Sequence, residues 1–203
     1  MPLLLRYDSL LLKKRVALGQ SYSPRLSESL ALRLQLLSSL RLLNKFSVLD
    51  EIALLEKTPL CRSTGTKAAE KFRGPVLGEF WHKHYHEPKH LAKNVYNKWF
   101  GEYAVRHKLL DSKLRQVLEG DVEGSWEQCS DILAGRIAHE MVYGGMESRR
   151  QRNALTGEWL VYYVHNGLNY YLDLAGHHEL DDSWALFDRL KRGCQWEFPF
   201  AFA

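Results

Sequence analysis

The stretch Phe80-Trp81-His82-Lys83-His84-Tyr85-His86-Glu87-Pro88-Lys89-His90 holds four of the chain's nine histidines, two lysines and three aromatic rings. No other part of the sequence concentrates polar chemistry in this way. An imidazole titrates close to neutral pH, so it can take up or release a proton there. An ammonium nearby can neutralise developing negative charge. Cleavage of an RNA phosphodiester needs these groups: a base for the 2′-OH, an acid for the leaving oxygen and a cation at the phosphorane. His82, Lys83 and His84 offer them within three residues, and His177 stands at a strand end farther along. The expected catalytic set is therefore His82, Lys83, His84 and His177. Trp81 and Tyr85 are expected to stack on exposed bases. Lys89, Lys93, Arg149 and Arg150 are expected to contact phosphates.

Rival chemistries fit the sequence less well. Histidines two apart on a strand can share a metal ion, and His82, His84, His86, His90, His177, His178 and Glu179 have suitable donors. None stands at a recognised metalloenzyme spacing, and His139-Glu140 continues as Met141-Val142-Tyr143 rather than as HExxH. No metal and no cofactor is expected. The chain also lacks a GxSxG elbow, a GxxxxGK[ST] loop and a GxGxxG turn, which argues against serine hydrolase, P-loop and dinucleotide-binding readings.

The charge is unevenly spread. Residues 58–110 hold ten Lys/Arg against four Asp/Glu, whereas residues 111–203 hold nine against fifteen. The basic middle contains the histidine stretch, so an anionic partner such as RNA is expected there. Cys61, Cys129 and Cys194 have no CxxC or zinc spacing, which suits reduced thiols in a cytoplasmic protein. The opening Leu3-Leu4-Leu5 run is cut off by Arg6 and Asp8, too early for a signal peptide. No run approaches the ~18 apolar residues of a membrane span, so no membrane partner is expected.

The elements that must position these groups change character along the chain. Residues 1–57 carry nineteen leucines and three aromatics, while the remainder carries twenty-one aromatics. Ser23-Pro24 reads as a helix start, with Leu26, Leu30, Leu34, Leu37 and Leu40 following at helical steps. Ser47 with Asp50 resembles a capping box for a second helix through Glu56. The leucine face of residues 26–43 is wide enough to need a partner, which is the rest of the chain, another protein or a second copy. Residues 58–79, punctuated by glycine and proline, read as a connector, and residues 80–203 as an α+β domain.

Pro88 disfavours a helix running through the histidines. A helix is expected to begin there and to run through Leu91, Val95, Trp99 and Tyr103. Residues 79–86, if extended, put Phe80, His82, His84 and His86 on one face and Trp81, Lys83 and Tyr85 on the other. Further helices are expected around Leu109–Leu118 and from Ser125 with Gln128 to the pair Gly144-Gly145. Glu158–His165 and Leu168–Ala175 are β-rich runs joined by Asn166-Gly167, the preferred sequence for a type I′ turn. Tyr163 should face Tyr170, Val161 should face Leu172 and Trp159 should face Leu174. A helix from Asp181-Asp182 to Arg192 and an aromatic tail follow.

The fold class is thus α+β: leucine-rich N-terminal helices, central helices and a C-terminal antiparallel sheet built on the 158–175 hairpin. A hairpin on a helical platform with basic residues nearby resembles, in architecture, the small ribonuclease toxins of the RelE and barnase kind. No motif of theirs carries over residue by residue. The expected function is nucleic-acid binding, with metal-independent ribonuclease activity of a toxin or defence type. The alternative is a non-catalytic interaction module that docks a partner through its N-terminal leucines.

Overall fold

The computed structural model describes residues 8–59, 61–119 and 126–203, with the backbone alone for residues 126–128. In chain order the helices are α1 (Ser9–Val16), α2 (Glu28–Ser39), α3 (Lys45–Leu55), α4 (Leu91–Trp99), α5 (Glu102–Arg106), α6 (Leu109–Leu118), α7 (Trp126–His139), α8 (Gly145–Gln151) and α9 (Ser183–Cys194). The strands are β1 (Glu70–Lys71), β2 (Trp81–Tyr85), β3 (Glu158–His165) and β4 (Leu168–Ala175). The α+β class is as expected. The chain forms two compact units: Met1–Glu87 with Gly157–Ala203, and Pro88–Thr156. The expected boundaries at 57/58 and 79/80 do not separate them, because the leucine-rich region shares its core with the sheet.

In the first unit the four strands form one antiparallel sheet in the order β1-β2-β3-β4. Residues 81–85 of the histidine stretch form the inner strand β2, paired with β3 so that His82 lies opposite Val161 and His84 opposite Trp159, while His86 and His90 lie beyond the strand. The expected connector is more than a linker, since it supplies β1 and places Glu70 opposite His82. Asn166 and Gly167 both have positive φ, 51° and 74°, as a type I′ turn requires. Register near that turn is as expected, with Tyr163 opposite Tyr170. Beyond it a bulge between Val161 and Tyr162 shifts the pairing, so that Trp159 faces Ala175 and Leu160 faces Leu174. Leu174 consequently leaves the Trp159 face for the opposite one.

Both sheet faces are covered. Against one, Leu26, Leu30 and Leu34 from α2 and its approach, with Val48 and Ile52 from α3, pack on Leu160, Tyr162, Tyr171 and Leu174. Against the other, Leu186 and Leu190 of α9 and the tail residues Phe198 and Phe202 pack on Trp159, Val161 and Leu172. Three capping details differ from expectation. Ser23-Pro24 opens a single 3-10 turn, and Ser27 caps α2 by accepting from the Leu30 N–H at 2.9 Å. Asn44, not Ser47, caps α3 through the Phe46 N–H at 3.2 Å. In both places the side chain nearer the true helix start competes better for the unpaired N–H groups.

The second unit carries α4 to α8. The expected helix from Pro88 breaks after Trp99, and a new one starts at Glu102. The expected start at Ser125 lies outside the described residues. Gly144-Gly145 does not end the helix: α7 runs through a π turn, Glu140–Gly144, into α8. The Trp99 indole N–H donates to the Met141 carbonyl of that turn at 2.7 Å, satisfying an acceptor there. A Cβ at Gly145 would lie 2.9 Å from the same indole nitrogen, so glycine permits the approach. Asn94, fully buried, ties the unit's ends together through Nδ2 to the Thr156 carbonyl at 2.9 Å and Oδ1 from the Thr156 N–H at 2.9 Å.

Candidate functional site

Strand alternation divides the histidine stretch, and the division separates groups expected to act together. His82 and His84 project to the α9 side, among Phe72, Trp159 and His177. Lys83 projects to the α3 side. It is 3% exposed and ion-pairs with Glu51 at 3.2 Å, also donating to the Lys67 carbonyl at 2.5 Å and to the Thr66 hydroxyl. Thr64 and Thr66 donate to the Glu51 carboxylate at 3.1 Å each. Lys83 therefore cannot meet the phosphate that the imidazoles would meet, which corrects its expected place beside them. Burial raises the Glu51 carboxyl above its ordinary range, with Lys83 opposing.

The imidazoles do converge. His84 and His177 stack with ring centroids 5.3 Å apart, and His82 lies 5.8 Å from His84. Trp159 sits among them, 4.1 Å from His177 and 5.0 Å from His82. One backbone group organises the pair. The Gly157 carbonyl lies 3.0 Å from His84 Nδ1 and 2.7 Å from His177 Nε2. A carbonyl only accepts, so both nitrogens carry hydrogen. His84 Nε2 then accepts from the Trp159 indole N–H at 3.4 Å. That bond agrees with the Nδ1–H tautomer, and the longer 3.4 Å approach of the Gly157 N–H to Nδ1 is secondary. His84 is thus fully engaged and positions its neighbours. His82 differs: its buried Nδ1 has no partner among the described residues. His177 is exposed at the lip of the cluster.

The electrostatics keep the two strand imidazoles neutral. Burial pushes His82 down to about 4, against an opposing pull from Glu70 and a further push from His177 and Lys67. Burial likewise pushes His84 down to about 4, opposed by its bond to Gly157 and aided by His177, His82 and Lys67. A neutral imidazole with a free lone pair is a proton acceptor. Lys67, which sequence reasoning passed over as part of a connector, is the ammonium whose field reaches both rings. Its neighbours Phe72 and Arg73 belong to the same segment, and Phe72 packs 4.6 Å from the His82 ring. Only the pairing of β1 with β2 brings that segment here.

No family model matches this chain, and neither does any curated protein or solved structure.

The expected nucleic-acid contacts fare unevenly. Tyr85 is 3% exposed in the leucine-side core and has no face to offer a base. Trp81 is half-buried on that same side, stacked on Tyr162 at 6.3 Å. In the second unit Lys89, Lys93 and Arg150 are exposed, as phosphate contacts require. Arg149 is tied down instead, donating to Asn94 Oδ1 at 3.1 Å and to the Ala154 carbonyl. Burial accordingly lowers the proton affinity of its guanidinium. Among the described residues no three His, Cys, Asp or Glu side chains come together as a metal shell.

Proposed function

We propose that this protein binds RNA and cleaves it by acid–base chemistry at the His82–His84–His177 cluster. The observation that carries the reading is the convergence of three imidazoles on Trp159, two of them held neutral and the third at the surface. In this scheme the half-buried, neutral imidazole of His82 takes the proton of a ribose 2′-OH. The 2′ oxygen attacks the phosphorus, and His177 delivers a proton to the departing 5′ oxygen, leaving a 2′,3′-cyclic phosphate. Lys67 supplies the positive charge first assigned to Lys83, and His84 holds His177 through the stack and the shared Gly157 carbonyl. Exposed Arg73, in the same unit as the cluster, contributes a phosphate contact, with affinity that falls as salt rises.

A toxin or defence role in the cytoplasm suits such an activity. Three cysteines without a disulfide agree with a reducing compartment. No described helix is long and apolar enough to cross a membrane. The test is incubation of purified protein with labelled single-stranded and structured RNA, with and without EDTA. Cleavage that survives the chelator and disappears in His82→Ala and His177→Ala is the expected result. No cleavage together with no binding at low salt discards the reading.

A further inference from the structure

Five large apolar side chains lie exposed where α2 turns into α3. Leu32, Leu36 and Leu40 recur every four residues, and Leu42 and Phe46 follow; their exposures are 40, 59, 58, 63 and 51%. The core uses a different stripe of the same helix, Leu30, Ala31 and Leu34. α2 is therefore apolar on two faces, and packing among the described residues covers one.

The charge along this segment is one-sided. Between Glu28 and Asp50 the sequence contains Arg33, Arg41 and Lys45 and no acidic residue. Arg33 is engaged by Asp173 at 3.1 Å. Arg41 is exposed, and the Lys45 ammonium lies 5.6 Å over the Phe46 ring. The acids of α3 and its C-cap are already paired, Asp50 with Arg62, Glu51 with Lys83 and Glu56 with Arg25.

We propose that this surface docks an acidic amphipathic helix of a partner protein. The partner's apolar stripe packs on Leu32, Leu36, Leu40 and Phe46, and its carboxylates lie beside Arg41 and Lys45. A stripe from residue 32 to residue 40 runs about 12 Å along the axis, room for roughly two turns of a partner helix. A second copy fits worse, since it would set these cations against their own kind, and the nearby carboxylate, Glu87, is buried against the Asn44 N–H. An anionic membrane also fits worse, because electrostatic anchoring takes clusters of about four or more cations. The proposal does not depend on the ribonuclease reading.

The experiment is selection by the full-length protein from a displayed library of helical peptides. Leucines are held at one stripe and the other positions are drawn from Glu, Lys, Gln and Ser. Glu-rich peptides should be enriched, and a selected peptide should bind Leu36→Gln/Leu40→Gln at least tenfold more weakly. Arg41→Glu/Lys45→Glu should turn the preference toward Lys-rich peptides. These side chains are exposed, so melting temperatures should stay at the wild-type value. If the leucine variant failed to fold, the charge-reversed one would still decide. Enrichment indifferent to charge, or no enrichment, overturns the proposal. A dimer in sedimentation equilibrium that the leucine variant dissolves gives the surface to a second copy. Flotation with phosphatidylserine–phosphatidylcholine vesicles, lost in the same variant, gives it to a membrane. Either result also overturns the proposal.

Discussion

On one face of β2 the Lys83 side chain ends in a closed polar network with Glu51, Thr64 and Thr66. On the other face, one residue away in either direction, His82 and His84 end among aromatic rings, with Glu70 the carboxylate opposite His82. Both faces bury ionisable groups, and they meet the desolvation cost in opposite ways. Lys83 is held by a carboxylate, which commits it to structure. Histidine can shed its charge, so it tolerates the interior as a neutral ring and keeps a lone pair for proton transfer. A buried charge is thus a poor choice of catalytic cation, and in the proposed scheme the exposed Lys67 takes that role instead of Lys83.

Breaking the charged face should have the largest effect. Lys83→Met leaves the Glu51 carboxylate buried without its cation and should cost about 3–5 kcal/mol in urea unfolding. Adding Glu51→Leu should recover most of the loss. A single variant within 1 kcal/mol of wild type would mean that the faces do not differ as described.

The histidine face should respond to pH instead. His84 binds a proton in the folded state only near pH 4, against an ordinary value of 6.5. Between those values the unfolded chain holds more protons, so stability falls as pH drops through the window and levels off below it. For His84 alone the loss approaches about 3 kcal/mol. Melting temperature followed from pH 7.5 to 4 should show this slope, and His84→Asn should flatten part of it. A profile that is the same in the variant would remove His84 as its source.

A change at the hairpin tip touches neither face preferentially. Gly167→Val meets no atom within 4 Å, so its cost is the strain of a β-branched residue at φ 74°, about 1–3 kcal/mol in chemical denaturation. Smallest of all should be His177→Ala, because its ring stands at the surface. Its unfolding free energy should stay within about 0.5 kcal/mol of wild type while RNA cleavage disappears. Loss of stability without loss of cleavage would make His177 another structural histidine.

Some of this was legible in the residues. The two-residue turn Asn166-Gly167, the alternation of faces through residues 81–85 and the helical leucine spacing after Leu26 are properties of short segments, and each appears in the structure. So does the meeting of His84 and His177, suggested by their residue types. Other features depend on distant partners. Glu51 is 32 residues from Lys83, and nothing in either neighbourhood names the other. Gly157 has no side chain by which to announce that its carbonyl holds two imidazoles. The 161/162 bulge interrupts an otherwise regular pattern, and it carries Leu174 to the leucine side.

The sequence by itself determined the class of elements and which side chains share a strand face, because backbone geometry repeats every two or 3.6 residues whatever surrounds it. The tertiary structure decided which face is charged and which is neutral, which carboxylate holds Lys83 and which leucine stripe is left outside. Those outcomes depend on which segments exclude water from one another, and burial is a property of the assembled sheet and helices rather than of any residue's neighbours in the chain.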